Sequence, residues 1–270
     1  MSDVKVSAAQ GTSASAWGGV VSPVSEGAPQ GADPAAEPAV HESDYNKRLF
    51  SRGIRRVYHE ARFHWVADQL RMRGLEGVSL FELGCFDGKL LKFLSTPPSR
   101  YVGVDANWEG GLDLARQRWK DPRFEFHACH SPEDIAAVPG RCQVGVSMET
   151  LEHLPRAQLD AYLKVLVERC EHTLIITVPN ELGIPFFLKH LSKVALGNAS
   201  EHYSPREFMF QTLRQTQYVA QDNHKGFDHR VLARLLERYG TLERYEAVFP
   251  PLSRSLCLTV GMVLHIERGP

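Results

Sequence analysis

The sequence has almost no net charge: 31 Lys and Arg stand against 32 Asp and Glu in 270 residues. That removes any whole-chain argument for a polyanionic partner and leaves only a local basic patch open. Long apolar runs are missing too. Stretches such as LTVGMVL (258–264) fall far short of the ~20 residues a membrane span needs. The start carries no basic segment leading into an apolar core, so no signal peptide is expected. Cysteine is sparse. Cys85, Cys129, Cys142, Cys170 and Cys257 show no C-x-x-C spacing, and several lie in apolar runs, as expected of reduced thiols in a cytoplasmic protein. Periodicity is absent from residues 1–40, of which 24 are Ala, Gly, Ser or Pro. Such a segment cannot bury enough apolar surface to offset its ordering entropy, so residues 1–43 are expected to form a disordered tail.

What remains, residues 44–270, suffices for one sizeable α/β domain. Residues 44–73 carry apolar positions at helical spacing, with Gly53 as a break. Strand-like and helix-like segments then alternate. VSLFELG, YVGVDAN, FEFHACH, CQVGVSM and TLIITVPN read as strands; GKLLKFLS, GGLDLARQRW and AQLDAYLKVLVERC read as the helices between them. Strands that are apolar on both faces indicate a parallel sheet covered on both sides. The segment from about 181 to 226 breaks this rhythm with mixed aromatic and basic residues, and is expected to form a lid over the acceptor. Within it, Ser204-Pro-Arg-Glu207 reads as a capping box. Asp228 reads as the cap of HRVLARLLERY, which Gly240 closes. LERYEAVFP and SLCLTVGMVLHIE form a closing pair without an intervening helix, so the last strand is expected to run antiparallel.

The strongest chemical signal is LFELGCFDGKLL. A strand delivers Glu82 to its carboxyl end, Gly84 and Gly88 permit a tight turn, and a second strand ends in Asp105 about twenty residues on. Open α/β sheets hold nucleotide-like ligands in this way, the second acid accepting from ribose hydroxyls. The dinucleotide fingerprint G-x-G-x-x-G is not met, and an acid two places before the first glycine suits a cationic ligand better than a diphosphate.

Here the chain resembles the class I S-adenosylmethionine-dependent methyltransferases. Their motif D/E-x-G-x-G-x-G is matched by ELGCFDG except at Phe86, where glycine is usual. The resemblance spans roughly residues 78–180 by motif. It implies a Rossmann-like, doubly wound seven-stranded sheet with the last strand antiparallel and helices on both faces. It also implies S-adenosyl-L-methionine as cofactor, lined by Glu82, Gly84, Cys85 and Gly88. Asp105 would then take the ribose, Ser131 the adenine, and Met148 would flank the sulfonium.

In METLEH (148–153), at the end of the fourth strand, two carboxylates and an imidazole follow an apolar run. If a helix starts here, Glu149, Glu152 and His153 stand at i, i+3 and i+4 on one side of it. A capped, solvated helix start is one reading; a metal or acid–base site is the other. The pattern E-x-x-E-H resembles the ubiquinone-pathway O-methyltransferases and the small-RNA 2′-O-methyltransferases of the Hen1 type. That likeness implies a divalent metal (Mg²⁺, Mn²⁺ or Zn²⁺) on Glu149, Glu152, His153 and His224, with His202 an alternative to the last. His153 is also the candidate general base. The stretch HKGFD (224–228) resembles glycan and natural-product methyltransferases. The expected activity is therefore O-methylation of a small-molecule acceptor, a sugar or natural-product hydroxyl. An RNA 2′-O-methyltransferase and a non-catalytic binding protein of the same fold are the competing readings.

Overall fold

The computed structural model describes residues 53–195, 203–220, 222, 224–249 and 252–267. The expected tail, residues 1–43, and His202 lie outside them.

Helix α1 (Ile54–Met72) starts at Gly53, whose φ of 103° no ordinary helical residue shares. Strand β1 (Leu80–Leu83) follows, then β2 (Tyr101–Asp105), α2 (Gly111–Arg118), β3 (Phe124–Ala128), α3 (Pro132–Ala137), β4 (Cys142–Met148), α4 (Arg156–Arg169) and β5 (Cys170–Pro179). The seven-stranded sheet has the order β3-β2-β1-β4-β5-β7-β6. The first five strands pair in parallel, and β7 (Thr259–Ile266) runs antiparallel between β5 and β6 (Gly240–Ala247). This is the expected mixed doubly wound sheet. Its central strands read as continuous apolar runs because both faces are covered. Phe81 and Leu83 pack on one side with Leu163 and Leu166 of α4 and Leu232 of α7 (His229–Leu236). Leu80 packs on the other side with Phe63, Val66 and Leu70 of α1 and Leu112 of α2. Burying each such side chain is worth ~1.5–3 kcal/mol.

Two expected helices differ. GKLLKFLS contains only a 3₁₀ turn, Lys89–Lys92. Leu90 and Leu91 are both buried and pin the short segment to the core before Pro97 and Pro98 bring it back into the next strand. Helix α7 ends at Leu236, and Gly240 opens β6 instead of closing the helix. A Cβ on Gly240 would lie 2.0 Å from the His265 carbonyl oxygen, so the strand pairing itself requires glycine there.

The segment after β5 carries α5 (Gly183–Ala195) and α6 (Pro205–Thr212). Ser204 caps α6 in the expected capping box with Glu207, and Asp228 accepts the Arg230 amide at the start of α7. Phe186 of α5 is buried against Tyr203 and Phe208 at ring distances of 5.0 and 5.4 Å. The opposite stripe of α5, including Ile184, Phe187, Leu188 and Leu191, faces solvent. No described helix is long and apolar enough to cross a membrane.

Candidate active site

The glycine loop joins β1 to the turn before β2. Gly84 and Gly88 have φ of 79° and 66°, a region costing other L-residues roughly 1–2 kcal/mol. Phe86 also sits there, at φ 48°. Its ring is directed toward the start of α2: a Cβ on Gly111 would lie 2.4 Å from the Phe86 ring, and Trp108 stands 6.2 Å away. The loop thus accommodates a bulky residue where the family motif has glycine, by laying the ring over a second glycine. Asp105 fixes this geometry, accepting from the Phe86 amide at 3.1 Å and the Trp108 amide at 3.3 Å. It is buried, and burial raises its pKa. The Cys85 thiol is buried against Gly103, its amide donates to the Val104 carbonyl, and its own carbonyl accepts from Gly88.

Glu82 lies beneath the loop. It is buried on β1 and accepts a hydrogen bond from the Tyr101 hydroxyl. Burial pushes its pKa to about 8, opposed by the Tyr101 bond and reinforced by Asp87 and Asp105. Ser131 caps α3, its hydroxyl accepting from the Asp134 amide at 3.2 Å. Met148 is buried at the end of β4, and its carbonyl accepts from the Thr150 hydroxyl at 3.0 Å.

METLEH does not start a helix. Glu149 has φ 49° and is held by its amide to the Thr177 carbonyl; a single 3₁₀ turn, Leu151–His153, follows. The expectation of three side chains on one helical face is corrected here. Pro155 disfavours helical backbone at Leu154, so α4 starts only at Arg156. The groups converge by another route. Glu152, His153 and His224 each offer a ligand atom within 4.8 Å of the others, and the two imidazoles meet edge to face at 4.5 Å. Glu149 is outside that trio.

Glu152 is wholly buried, and neither of its oxygens has a hydrogen-bond partner among the described residues. Burial and then the Glu149 charge push its pKa well up. Glu149 has one oxygen sealed from solvent with no hydrogen bond among the described residues, and burial raises its pKa to about 7. His153 keeps 37 % of its side chain open to solvent.

Three residues were not anticipated from the sequence. Glu181, directly after β5, is 2 % exposed, pairs with Lys189, and has Oε1 3.6 Å from His224 Nδ1. Its signal was the one that marked METLEH, an acid just beyond an apolar strand. Arg62 of α1 is 9 % exposed, its Nε has no hydrogen bond among the described residues, and its charge lowers the pKa of Glu82, Glu149 and Glu152 against the effect of burial. Tyr58, also on α1, bonds Thr259 at 2.7 Å, and its pKa is raised by burial and then by Glu149. Nothing in the local sequence distinguishes Arg62 or Tyr58 from other helix residues.

No family model matches the sequence, and no curated relative does. Solved structures do match. Magnesium protoporphyrin IX methyltransferase from Synechocystis PCC 6803 with bound SAH superposes at a TM-score of 0.58 with 15% identity, covering 83% of this chain and 94% of that one. The chain has the class I methyltransferase fold. A S-adenosylmethionine-dependent methyltransferase from Clostridium acetobutylicum ATCC 824 gives 0.55 and 11% identity over 83% and 96% of the two chains. The methyltransferase domain of bacterial CtHen1 gives 0.51 and 19% identity over 77% and 100%.

Proposed function

We propose that the chain is an S-adenosylmethionine-dependent methyltransferase acting on a hydroxyl of a small-molecule acceptor, with a divalent cation at Glu152, His153 and His224. The observation that carries this reading is the contact between its two motifs. A Cβ on Gly84 would lie 2.0 Å from the Thr150 hydroxyl, so the cofactor-type loop and the METLEH turn abut at the carboxyl edge of β1 and β4. Open α/β sheets bind ligands at that edge.

The residues present fit both groups. Glu82, Asp87 and Asp105 make the loop acidic, and burial has already lifted Glu82 to about 8, so a ligand ammonium would offset a cost the fold carries. Arg62 supplies a buried guanidinium for a ligand carboxylate. The two charges of an amino-acid moiety are thus matched from β1 and α1. The cofactor supplies a methyl group on positively charged sulfur. Glu152, with two unpartnered buried oxygens beside two imidazoles, fits a cation of the Mg²⁺, Mn²⁺ or Zn²⁺ kind. What a cation supplies is positive charge beside an acceptor hydroxyl, easing loss of its proton. Glu149 adds negative charge at the rim.

The acceptor lid is assigned to 181–226, of which α5 and α6 are the described helices. Phe187, 39% exposed, and its apolar neighbours on α5 give that lid an apolar surface, which favours a small apolar acceptor over a polyanion. The balanced charge argues the same way against RNA.

The test is turnover of labelled S-adenosylmethionine on a panel of sugars, phenols, aliphatic alcohols and RNA, with and without chelator. Methyl transfer to a small hydroxyl compound that chelation abolishes and Mn²⁺ restores is the expected result. Full activity after chelation removes the metal. His153 then becomes the general base, and His153→Ala should lower kcat by about 10²–10⁴-fold. Transfer to RNA alone sinks the small-molecule acceptor. Cofactor binding without turnover on any acceptor leaves a binding protein.

A further inference from the structure

We infer that Glu181 is a positioning residue: its carboxylate orients the His224 ring so that Nε2 is presented to Glu152 and His153, while Lys189 of α5 holds that carboxylate. The inference rests on the metal reading above and adds a residue outside the E-x-x-E-H motif. Three observations carry it. Glu181 Oε1 lies 3.6 Å from His224 Nδ1. Among the described residues, the trio whose ligand atoms all lie within 4.8 Å of one another is Glu152, His153 and His224, without Glu181. It is also fixed in place: it is 2 % exposed, the same Oε1 pairs with Lys189, and its carbonyl accepts from Gln211 of α6 at 2.5 Å.

The chemistry follows from the imidazole. A neutral ring has one N–H and one lone pair, and a ligand must offer the lone pair. A carboxylate facing Nδ1 accepts only, so it selects the tautomer with the proton on Nδ1 and the ligand lone pair on Nε2. At 3.6 Å the bond is not yet formed, and a closure of ~0.7 Å would bring it to ordinary length. The edge-to-face contact of the His224 and His153 rings limits the other rotations of His224. Because Lys189 belongs to α5, the lid helix is tied to the cluster through Lys189, Glu181 and His224 in turn. A lid that shifts α5 would loosen the third ligand.

The experiment uses the full chain, stripped of metal, with two readouts. Long-range ¹H–¹⁵N correlation spectra of ¹⁵N-histidine protein, with the His224 signals assigned by His224→Gln, report the tautomer without any metal. Calorimetric titration with Mn²⁺ alone reports affinity. The wild type should show His224 with its proton on Nδ1. In Glu181→Met that preference should be lost, and Mn²⁺ affinity should fall by about 10–100-fold, the usual effect of removing a ligand's hydrogen-bond partner. Lys189→Met should weaken Mn²⁺ in the same direction by less. If Glu181→Met does not fold, Glu181→Leu, which likewise offers no acceptor, carries both readouts. An unchanged tautomer and wild-type Mn²⁺ affinity in the Glu181 variants, with binding abolished in Glu152→Gln, would overturn the positioning role and leave the metal reading intact. Absence of Mn²⁺ binding by the wild type would instead overturn the metal reading and this inference with it.

Discussion

Glu82→Gln separates the cost of a buried charge from the use of that charge. Glu82 is 2 % exposed, and burial lifts its pKa from 4.5 to about 8. In the unfolded chain the carboxyl regains its ordinary value, so between the two the folded state holds more protons. The stability tied to this proton is full below the unfolded pKa and is lost as pH rises through about 8. Linkage across that window gives a loss of roughly 3 kcal/mol between pH 5.5 and pH 8.5, with 1.36 kcal/mol for each unit. A glutamine has the same shape, still accepts from the Tyr101 hydroxyl, and does not titrate. The assay is the melting temperature of both proteins, without ligand, from pH 5.5 to 9. Glu149, Asp105 and the other shifted groups titrate in both, so they cancel in the difference. At ~2–4 °C for each kcal/mol, the variant should gain roughly 6–12 °C on the wild type between pH 5.5 and 8.5. It should also bind S-adenosylmethionine more weakly, having lost the anion. A melting difference that stays constant with pH would refute the argument, since Glu82 would then be as well solvated folded as unfolded.

Other consequences follow from the same geometry. Asp105→Ala removes the acceptor of the Phe86 and Trp108 amides, so S-adenosylmethionine affinity measured by calorimetry should fall at least tenfold, ~1.4 kcal/mol; Asp105→Asn, which keeps one acceptor oxygen, should fall less. Gly84→Ala places a side chain at φ 79° and 2.0 Å from the Thr150 hydroxyl. The backbone term alone is ~1–2 kcal/mol, or ~2–8 °C in melting temperature, and unchanged melting would contradict the loop geometry. Phe187→Ala, on the exposed stripe of α5, should raise the KM for the acceptor and leave cofactor affinity unchanged; the reverse would move the lid elsewhere.

The sheet was legible because its central strands are covered on both faces. CQVGVSM, read as a strand from composition, is β4 from Cys142 to Met148. The antiparallel end was legible from the missing helix between the last two strands. Residues whose neighbours come from distant segments were not. Glu181 faces His224 because β5 lies beside β4 and the chain returns to that edge before α7, and Arg62 reaches the acids because α1 packs over the sheet. Neither spacing exists along the sequence. METLEH was legible as chemistry and misleading as geometry: E-x-x-E-H suggests helical spacing, but Pro155 keeps Leu154 extended, so the groups meet through a 3₁₀ turn and a separate loop.

That outcome bears on why the acids are there. Glu152 and Glu181 lie buried at one edge with Glu149 half-buried beside them, and Arg62 and Lys189 are the cations whose charge reaches Glu149. Burial disfavours the charged forms of Glu149 and Glu152, and the Glu149 charge raises the Glu152 pKa further. A solvated helix start carries no such penalty, since water screens each charge; Glu152 is sealed from solvent, its oxygens accept no hydrogen bond among the described residues, and His153 Nε2 lies 3.9 Å from Oε1. Packing alone would be served better by an apolar residue of similar size, as replacement of buried ion pairs by apolar groups shows in other proteins. The fold therefore tolerates an arrangement that lowers its own stability near neutral pH. A cation at this edge would give Glu149 and Glu152 an opposite charge, and the free energy withheld on folding would then appear as affinity. On the other side of Thr150, Glu82 and Asp105 are buried as well, and burial raises the pKa of both. On the proposed reading, these two adjacent acidic clusters, which meet at Thr150, would hold the cationic end of the cofactor on one side and a cation beside the acceptor hydroxyl on the other.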